Sequence, residues 1–314
     1  MSLDGLADRL AERLPAGSVR RDVPVAELTT YRLGGPLAVT VRVTSDTDLA
    51  AAAAVLAAAD PAPAVLVIGR GSNLLVADQG YAGVGLVLAG SFELVTVTPA
   101  TGTVTAGGAA PLPVVARRAA AAGLTGLEFY VGIPGSVGGA VRMNAGGHGR
   151  ETRDVLTTAW VVDLLGGDHR PQPRGVAALD LGYRHSGLHP TEVVTRAELQ
   201  STADRAEDCE ARVAEIVRWR REHQPGGANA GSVFRNPPGD SAGRLIDAAG
   251  LKGHRVGGAV VSAKHANFFQ AEPGATANDV ARLVAAVQDR VEEHTGVRLI
   301  PELQLVGFDE ARRP

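Results

Sequence analysis

Cysteine is almost absent from this chain of 314 residues, in which Cys209 is the single example. One cysteine excludes an internal disulfide and any zinc site built from CxxC pairs, and it is typical of proteins in a reducing compartment. His185 and His189 have the spacing of a metal-binding pair on a helix, but Gly187 and Pro190 argue against a helix there. We therefore expect no metal site.

Long apolar runs and an excess of positive charge are also missing. No stretch is long and apolar enough to predict a membrane span. The first residues, "MSLDGLADRLAERL", carry charges throughout and lack the apolar core of a signal peptide, so we expect a cytoplasmic protein. The net charge of −3 predicts no basic surface for nucleic acid.

Aromatic residues make up only 4% of the chain, whereas glycine occurs 39 times, which favours tight turns and close backbone approaches. A shift from β-rich to helix-rich composition near residue 200 predicts a domain boundary. The periodicity and capping residues predict helices at 45–59, 111–123, 204–225 and 276–296, with Cys209 on a buried stripe. They predict strands at 37–43, 64–68 and 297–308, and hairpins at 93–107 and 155–170.

The sequence "GRGSN" follows directly on the predicted strand 64–68. Its two glycines allow backbone N–H groups to turn inward as an anion-binding nest, and the serine and asparagine add donors. The pattern is neither GxGxxG nor a P-loop, because Leu74 stands where the third glycine belongs and no Gly-Lys pair occurs in the chain. A diphosphate-binding loop and an ordinary β-turn are both compatible with these residues.

The segment 132–149, "GIPGSVGGAVRMNAGGHG", contains seven glycines among its 18 residues. Apolar residues such as Ile133, Val137 and Val141 are interleaved with the glycines, which is unlike a flexible linker. The composition favours backbone packed closely against a flat ligand, with peptide groups as hydrogen-bond partners. A glycine-rich strand corner is the structural alternative.

Two charged residues have chemistry that a site could use. Arg184, in "LGYRHSGL", can clamp a carboxylate with two parallel hydrogen bonds, although an ordinary surface arginine is the alternative. In "RLIPELQL", strand alternation puts Leu299 and Leu303 on one face and Ile300 and Glu302 on the other. Glu302 could therefore act as an acid, or it could lie on a solvated strand face.

Ser232 lies in "NAGSVFRNPPG", between a glycine and a short apolar run. The residue two positions before it is Ala230, so the GxSxG pattern of a nucleophile elbow is missing. His223 and His265 are candidate bases only because they are near in sequence. These residues argue against a nucleophilic serine without assigning another role.

Six stretches, taken in order from about residue 29 to residue 308, resemble the UDP-N-acetylenolpyruvoylglucosamine reductase family, flavoenzymes that complete UDP-N-acetylmuramate for peptidoglycan. They are "TTYRLGGPL", "GRGSNLLVADQGYAGVGLVL", "GLEFYVGIPGSVGGAVRMNAGGHG", "GYRHSGL", "QPGGANAGSVFRNPPGDSAGRLIDAAGLKGHRVGGAVVSAKHANFF" and "LIPELQLVGF". Several motifs in the family's order are more specific than any one of them. The length of the chain is similar to that of the family's compact subgroup.

The resemblance implies an α+β fold, with an FAD-binding part of the vanillyl-alcohol-oxidase type and a C-terminal α+β substrate-binding domain. The implied boundaries are 1–85 for the first FAD-binding subdomain, to which 301–314 return, 86–200 for the second, and 201–300 for the substrate-binding domain.

The resemblance also implies the site residues and the cofactor, which is non-covalent FAD. The residues implied to bind FAD are Gly69, Arg70, Gly71, Ser72, Asn73, Leu74, Ile133, Pro134, Gly135, Ser136, Gly138, Gly139, Ala140, Asn144, Ala145 and Gly146. Those implied to bind substrate are Tyr183, His223 and Asn236, and those implied to be catalytic are Arg184, Ser232 and Glu302.

The implied chemistry uses NADPH as co-substrate to reduce FAD, after which hydride passes to C3 of the enolpyruvyl ether. Arg184 and Glu302 would stabilise the resulting enolate, and Ser232 would protonate C2. The expected partners are the UDP-sugar substrate and NADPH, and we expect a monomer. One departure is His223, which stands where the family usually has lysine. Another flavin oxidase of this fold, or an FAD-binding paralogue without turnover, are the alternatives.

Overall fold

A computed structural model describes residues 2–308 of the chain, which form two compact units. The first unit comprises Met1–Val23, Ala38–Arg70 and Gly83–Trp219, and the second comprises Pro24–Leu37, Gly71–Ala82 and Arg220–Pro314. The implied return of residues 301–314 is described only as far as residue 308, because 309–314 lie outside the described residues.

The described residues contain seven α-helices: α1 (Leu3–Arg13), α2 (Asp46–Ala57), α3 (Leu112–Ala121), α4 (Val137–Met143), α5 (Ala206–His223), α6 (Ala242–Ala248) and α7 (Ala277–Thr295). Their strands are β1 (Val19–Pro24), β2 (Pro36–Val43), β3 (Val65–Ile68), β4 (Leu74–Val76), β5 (Tyr81–Leu88), β6 (Val95–Thr98), β7 (Thr103–Gly107), β8 (Leu124–Thr125), β9 (Gly146–Gly147), β10 (Arg150–Glu151), β11 (Leu156–Asp163), β12 (Gln172–Gly175), β13 (Glu192–Gln200), β14 (Thr202–Ala203), β15 (Arg255–Val256), β16 (Ala259–Val261), β17 (Phe269–Ala271) and β18 (Gln304–Val306).

Two sheets and two apolar cores build the first unit. A four-stranded sheet has the order β1-β2-β5-β3, and its core includes Leu10 of α1 and Leu56 of α2. A five-stranded antiparallel sheet has the order β12-β11-β13-β7-β6, and α3 and α4 contribute to its core. Cys209 of α5 is fully buried in that second core, which confirms its predicted structural role.

The second unit is built around α6, α7 and two small sheets. One sheet is antiparallel with the order β15-β16-β17, and in the other β18 pairs in parallel with β4. The core includes Phe234 and Phe269, whose rings meet nearly edge to face with centroids 5.9 Å apart. The β18–β4 pair joins the end of the described chain to the strand that follows "GRGSN".

The predicted helices are confirmed, and side-chain hydrogen bonds cap the starts of two of them. The hydroxyl of Thr276 accepts from the Asp279 N–H while the Asp279 carboxylate accepts from the Thr276 N–H, so α7 begins with a complete capping box. At α2 the Ser45 hydroxyl accepts from the Asp48 N–H as expected. The Asp48 carboxylate, however, accepts from the N–H and hydroxyl of Thr44, one residue earlier than a capping box requires.

Three predictions about local structure were wrong or incomplete. The strand expected over 297–308 is reduced to β18, because Pro301 has no N–H to donate to a neighbouring strand. The predicted alternation nevertheless holds before it, since Leu299 is buried and Ile300 is 62% exposed. The second strand of the hairpin expected at 155–170 begins only at Gln172. The helices α1, α4 and α6 were not predicted, and α4 contains two glycines, which are poor helix formers.

None of the helices in residues 2–308 is long and apolar enough to cross a lipid bilayer.

We expect Thr276→Ala to lower the free energy of unfolding by about 1 kcal/mol, because it removes one bond of the capping box on α7. Urea unfolding followed by circular dichroism measures this change. Arg290→Ala is the matched control, because Arg290 is exposed on the same helix and alanine is an equally good helix former. Equal midpoints for Thr276→Ala and Arg290→Ala would contradict the importance of the cap.

Candidate active site

The loop "GRGSN" is shaped by close approaches that only glycine allows. Gly71 has φ of +59°, and a Cβ at this residue would lie 2.0 Å from the carbonyl oxygen of Leu28. The carbonyl oxygen of Gly71 accepts from the N–H of Thr30 at 3.2 Å. The turn is therefore held against the segment 28–30, which belongs to the same unit as Gly71.

Gly69 connects the loop to the glycine-rich segment 132–149 within the first unit. A Cβ at Gly69 would lie 2.5 Å from the hydroxyl oxygen of Ser136, so the backbone of one segment lies against a side chain of the other. Ser136 is buried, and its hydroxyl accepts from the Gly139 N–H at the start of α4. Two segments that the resemblance assigns to one cofactor are thus adjacent.

The glycine-rich segment contains a helix rather than the strand corner that was the alternative. Its entry is fixed by backbone bonds from the N–H of Leu112 to the Gly135 oxygen and from the N–H of Val137 to the Ala110 oxygen. The backbone that leads into α4 is therefore held in place by hydrogen bonds, and few of its residues carry a large side chain. Backbone with few large side chains can lie close to a neighbouring group or ligand.

Asn144 ends α4 and holds two neighbouring segments in place. It is completely buried in a left-handed conformation with φ of 40°. Its side-chain amide donates to the carboxylate of Glu151 and to the carbonyl of Gly182, both at 2.9 Å, and its side-chain oxygen accepts from the N–H of Arg153. Asn144 thereby fixes the β9–β10 hairpin and the turn that carries Arg184.

Arg184 lies in a two-residue turn closed by both backbone hydrogen bonds between Gly182 and His185. Its φ is 54°, a left-handed conformation that is uncommon for arginine. Its guanidinium donates from Nη2 to the Gly146 carbonyl at 3.2 Å and lies 5.3 Å from the ring centre of Tyr183. This geometry differs from that of the freely solvated surface arginine that was the alternative.

In the second unit, Ser232 and Glu302 lie on neighbouring antiparallel segments. The N–H of Glu302 donates to the Val233 carbonyl at 2.7 Å, and the N–H of Arg235 donates to the Ile300 carbonyl at 2.9 Å. The side-chain amide of Asn73, from the "GRGSN" loop, donates to the Glu302 carbonyl at 3.0 Å. Residues far apart in sequence therefore meet within one unit.

Asn267 supports this arrangement and was missed in the sequence. Its side chain accepts from the N–H of Phe234 and donates to the carbonyl of Phe234, at 2.9 and 2.8 Å, while its own carbonyl accepts from the N–H of Val233. Asn267 is only 2% exposed. The signal that could have found it is an asparagine inside the apolar run "HANFF".

The predicted substrate residues occupy more exposed positions. The side-chain oxygen of Asn236 accepts from the N–H of Ala242, the first residue of α6. His223 is the last residue of α5, and the ammonium of Lys264 donates to the carbonyl of Arg221 in that final turn. Tyr183 is 45% exposed.

The predicted site residues therefore form two sets. In the first unit, Gly69 and Arg70 belong with the residues from Ile133 to Gly146 and with Tyr183 and Arg184. In the second unit, Gly71, Ser72, Asn73 and Leu74 belong with His223, Ser232, Asn236 and Glu302. Across residues 2–308 no group of three or more His, Cys, Asp or Glu side chains is arranged to hold a metal ion.

Known proteins resemble this chain over nearly its whole length. An FAD binding domain model matches residues 37–169, and a model of the C-terminal domain of UDP-N-acetylenolpyruvoylglucosamine reductase matches residues 223–306. Reductases of that name from Acidiphilium cryptum and Rubrobacter xylanophilus are 46% and 42% identical, covering 93% and 97% of this chain and 92% and 99% of theirs.

A crystal structure of UDP-N-acetylenolpyruvylglucosamine reductase from Thermus caldophilus matches with a TM-score of 0.78 and 37% identity, covering 92% of this chain and 99% of that one. The fold and the matched domains define an FAD-dependent oxidoreductase, which confirms the predicted fold class and cofactor. Within that class, the chain belongs to the UDP-N-acetylenolpyruvoylglucosamine reductase family.

The residues present fit FAD. A Cβ at Gly69 would lie 2.5 Å from the Ser136 hydroxyl oxygen, so the backbone at this residue approaches its neighbour as only glycine allows. In the same unit, the backbone from Ile133 to Ala140 carries mostly small side chains. Backbone with few large side chains leaves room for a ligand to lie close to peptide groups, which is compatible with FAD.

We expect Gly69→Ala to weaken FAD binding by about 1–3 kcal/mol, because its new methyl group would overpack against the Ser136 hydroxyl. Titration of the apoprotein with FAD, followed by quenching of flavin fluorescence, measures the dissociation constant.

The control is the double variant Gly69→Ala, Ser136→Ala. Without the hydroxyl, the nearest remaining atom of residue 136 is its Cβ at 3.6 Å, an ordinary contact. We therefore expect Ser136→Ala to weaken FAD binding less in the Gly69→Ala variant than in the wild-type protein. Strictly additive effects would contradict this contact.

Proposed function

We propose that this chain reduces UDP-N-acetylglucosamine enolpyruvate to UDP-N-acetylmuramate, with FAD as cofactor and NADPH as co-substrate. The observation that carries the proposal is the hydrogen bond from the Glu302 N–H to the Val233 carbonyl, which holds Glu302 beside the segment of Ser232. Family membership supports the same reaction class. The product would supply peptidoglycan precursor synthesis.

The FAD would be held without a covalent bond. We assign its diphosphate to the backbone of residues 69–74 and its ring to residues 133–140 and 144–146. When bound, FAD supplies the hydride that it receives from NADPH.

Arg184 and Glu302 would stabilise the negative charge that develops on the substrate. Addition of hydride to C3 of the enolpyruvyl group leaves an enolate on C2 and the attached carboxylate. The fixed turn at Arg184 supports a preorganised guanidinium, which contributes most when it does not need to reorganise during the reaction. A protonated Glu302 would donate a hydrogen bond to the same charge.

Ser232 would deliver a proton to C2. A neutral serine is a weak acid, but an enolate carbon is a strong base, and correct positioning compensates for weak acidity. The backbone on both sides of Ser232 is held, by its pairing with Phe268 and by the bonds of Val233 to Asn267 and Glu302. This rigidity supports the assignment.

Tyr183, His223 and Asn236 would contact the substrate, with His223 at the position of the family's usual lysine. A histidine there can donate a hydrogen bond to a phosphate. We also propose three domains. The first FAD-binding subdomain comprises 1–85 with 301–314, the second comprises 86–200, and the substrate-binding domain comprises 201–300. We also propose a cytoplasmic monomer that binds neither nucleic acid nor membranes, and the free, buried Cys209 is compatible with a reducing compartment.

We expect Ser232→Ala to leave reduction of the bound flavin by NADPH nearly unchanged, while product formation falls by at least about 100-fold. Stopped-flow absorbance follows flavin reduction and its reoxidation by the enolpyruvyl substrate as separate steps. Ser241→Ala is the control, because Ser241 only caps α6.

An equal loss in both steps would contradict the role of Ser232 as proton donor. Flavin binding without reoxidation by this substrate in the wild-type protein would indicate a paralogue without turnover or an oxidase with another substrate.

A further inference from the structure

The segment that follows Arg184 is held against the end of α4 by one residue of that helix, Arg142. The hydroxyl of Ser186 donates to the backbone carbonyl of Arg142 at 2.7 Å. In the other direction, Nη1 of the Arg142 guanidinium donates to the carbonyls of Leu188 and His189, at 3.3 and 3.0 Å. Arg142 therefore makes three hydrogen bonds to residues 186–189, and all of these residues belong to the first unit.

These bonds complement those of Asn144, one turn further along. The side-chain amide of Asn144 donates to the carbonyl of Gly182, two residues before Arg184, whereas Ser186 is bound two residues after it. The guanidinium of Arg184 itself donates to the carbonyl of Gly146, which follows the same turn of α4. The end of α4 thus holds the chain on both sides of Arg184.

The guanidinium of Arg142 is held in place rather than freely solvated. Arg142 is half-buried, and burial lowers the pKa of its guanidinium, while the carboxylate of Glu192 opposes that change. This carboxylate accepts from the N–H of His189 at 2.7 Å and forms an ion pair with Arg174. Hydrogen bonds donated by a charged group are stronger than those between neutral groups. The guanidinium therefore restrains residues 188 and 189 more firmly than a neutral side chain could.

The opposite end of α4 belongs to the segment assigned to the flavin ring. That segment includes Ser136 and Ala140, and the Ser136 hydroxyl caps the helix by accepting from the Gly139 N–H. A helix of seven residues is about 10 Å long and does not bend easily. The helix therefore relates the turn of Arg184 to the segment proposed to hold the flavin, and Arg142 is one of its attachments to that turn.

We propose that Arg142 is a positioning residue for Arg184. It holds the segment after the Arg184 turn, as Asn144 holds the residue before it, so that the Arg184 guanidinium lies where negative charge develops on the substrate. The inference rests on the proposed function, because it adds a residue to the same site. Arg142 acts only through Arg184 and is assigned no contact with the substrate or with FAD.

The first test separates the two half-reactions of Arg142→Met. Methionine removes both bonds of the guanidinium and keeps an unbranched side chain. We expect reoxidation of the reduced flavin at saturating enolpyruvyl substrate to slow about 10- to 100-fold, because small displacements of a reacting group are costly, while KM changes much less. Flavin reduction by NADPH, measured by stopped-flow absorbance, should be nearly unchanged.

Two further variants interpret this result. Arg142→Lys keeps a cationic donor of similar reach and should recover most of the lost rate. Arg118→Met is the matched control and should behave as wild type, because the Arg118 guanidinium donates from α3 to the carbonyl of Val95, away from the proposed site residues. Equal reoxidation rates for Arg142→Met and Arg118→Met, or an equal loss in both half-reactions of Arg142→Met, would overturn the proposal.

A double-mutant cycle tests whether Arg142 acts through Arg184. In the Arg184→Ala variant there is no guanidinium left to position, so we expect Arg142→Met to slow reoxidation by less than about twofold further. A merely structural role would slow both backgrounds to the same extent. Strictly additive effects of Arg142→Met and Arg184→Ala on the reoxidation rate would therefore contradict the assignment.

Hydrogen exchange of the holoenzyme, followed by mass spectrometry, gives a measurement without turnover. The N–H groups of His185 and Gly187 donate to the carbonyls of Gly182 and Leu179, so their exchange reports opening of the segment. We expect peptides covering 179–189 to exchange about 10-fold faster or more in Arg142→Met, since a hydrogen bond from a charged group is lost, and unchanged in Arg118→Met. Unchanged exchange in Arg142→Met would contradict the restraint.

The two proposals fail in distinguishable ways. If the enolpyruvyl substrate does not reoxidise the flavin of the wild-type protein, the proposed function fails, whereas faster exchange in Arg142→Met still supports the restraint on the Arg184 turn. If wild-type turnover is normal and Arg142→Met reoxidises at the wild-type rate, only the positioning role fails.

Discussion

The arrangement of the proposed acids in the second unit depends on one backbone hydrogen bond, from the Glu302 N–H to the Val233 carbonyl at 2.7 Å. This bond joins segments about 70 residues apart, and the amide of Asn73 adds a third segment through the Glu302 carbonyl. A neutral hydroxyl and a carboxyl group are weak acids, so their effect on a reaction comes from position rather than acidity. The buried side chain of Asn267 gives the Ser232 segment its second fixed edge.

In the first unit, Asn144 holds the proposed site residues in position in a similar way. One buried amide ends α4, holds the β9–β10 hairpin through Glu151 and holds the Arg184 turn through Gly182. The strained φ of Arg184 is maintained because the turn around it is closed on both sides. In both units, an asparagine that is not itself proposed to react determines where a reacting group can lie.

Local features of the sequence predicted local structure well. The capping box of α7, its buried stripe and the final Gly296 are all encoded within a few residues of one another, and so each was predictable. The helix α4 was not predictable, because Gly138 and Gly139 oppose helix formation and tertiary bonds to residues 108–112 compensate for them. The role of Asn267 depends on Phe234, 33 residues away, and no periodicity records such a contact. The site residues were named through their resemblance to a family, whereas the bonds that position them required coordinates.

The central claim is that this chain transfers reducing equivalents from NADPH to the enolpyruvyl group of a UDP-sugar. An anaerobic titration tests it most directly: the bound flavin is first reduced with one equivalent of NADPH, and UDP-N-acetylglucosamine enolpyruvate is then added. The account predicts that the yellow absorbance of oxidised flavin returns fully, with one UDP-N-acetylmuramate formed per flavin. A flavin that stays reduced after the substrate is added would contradict it.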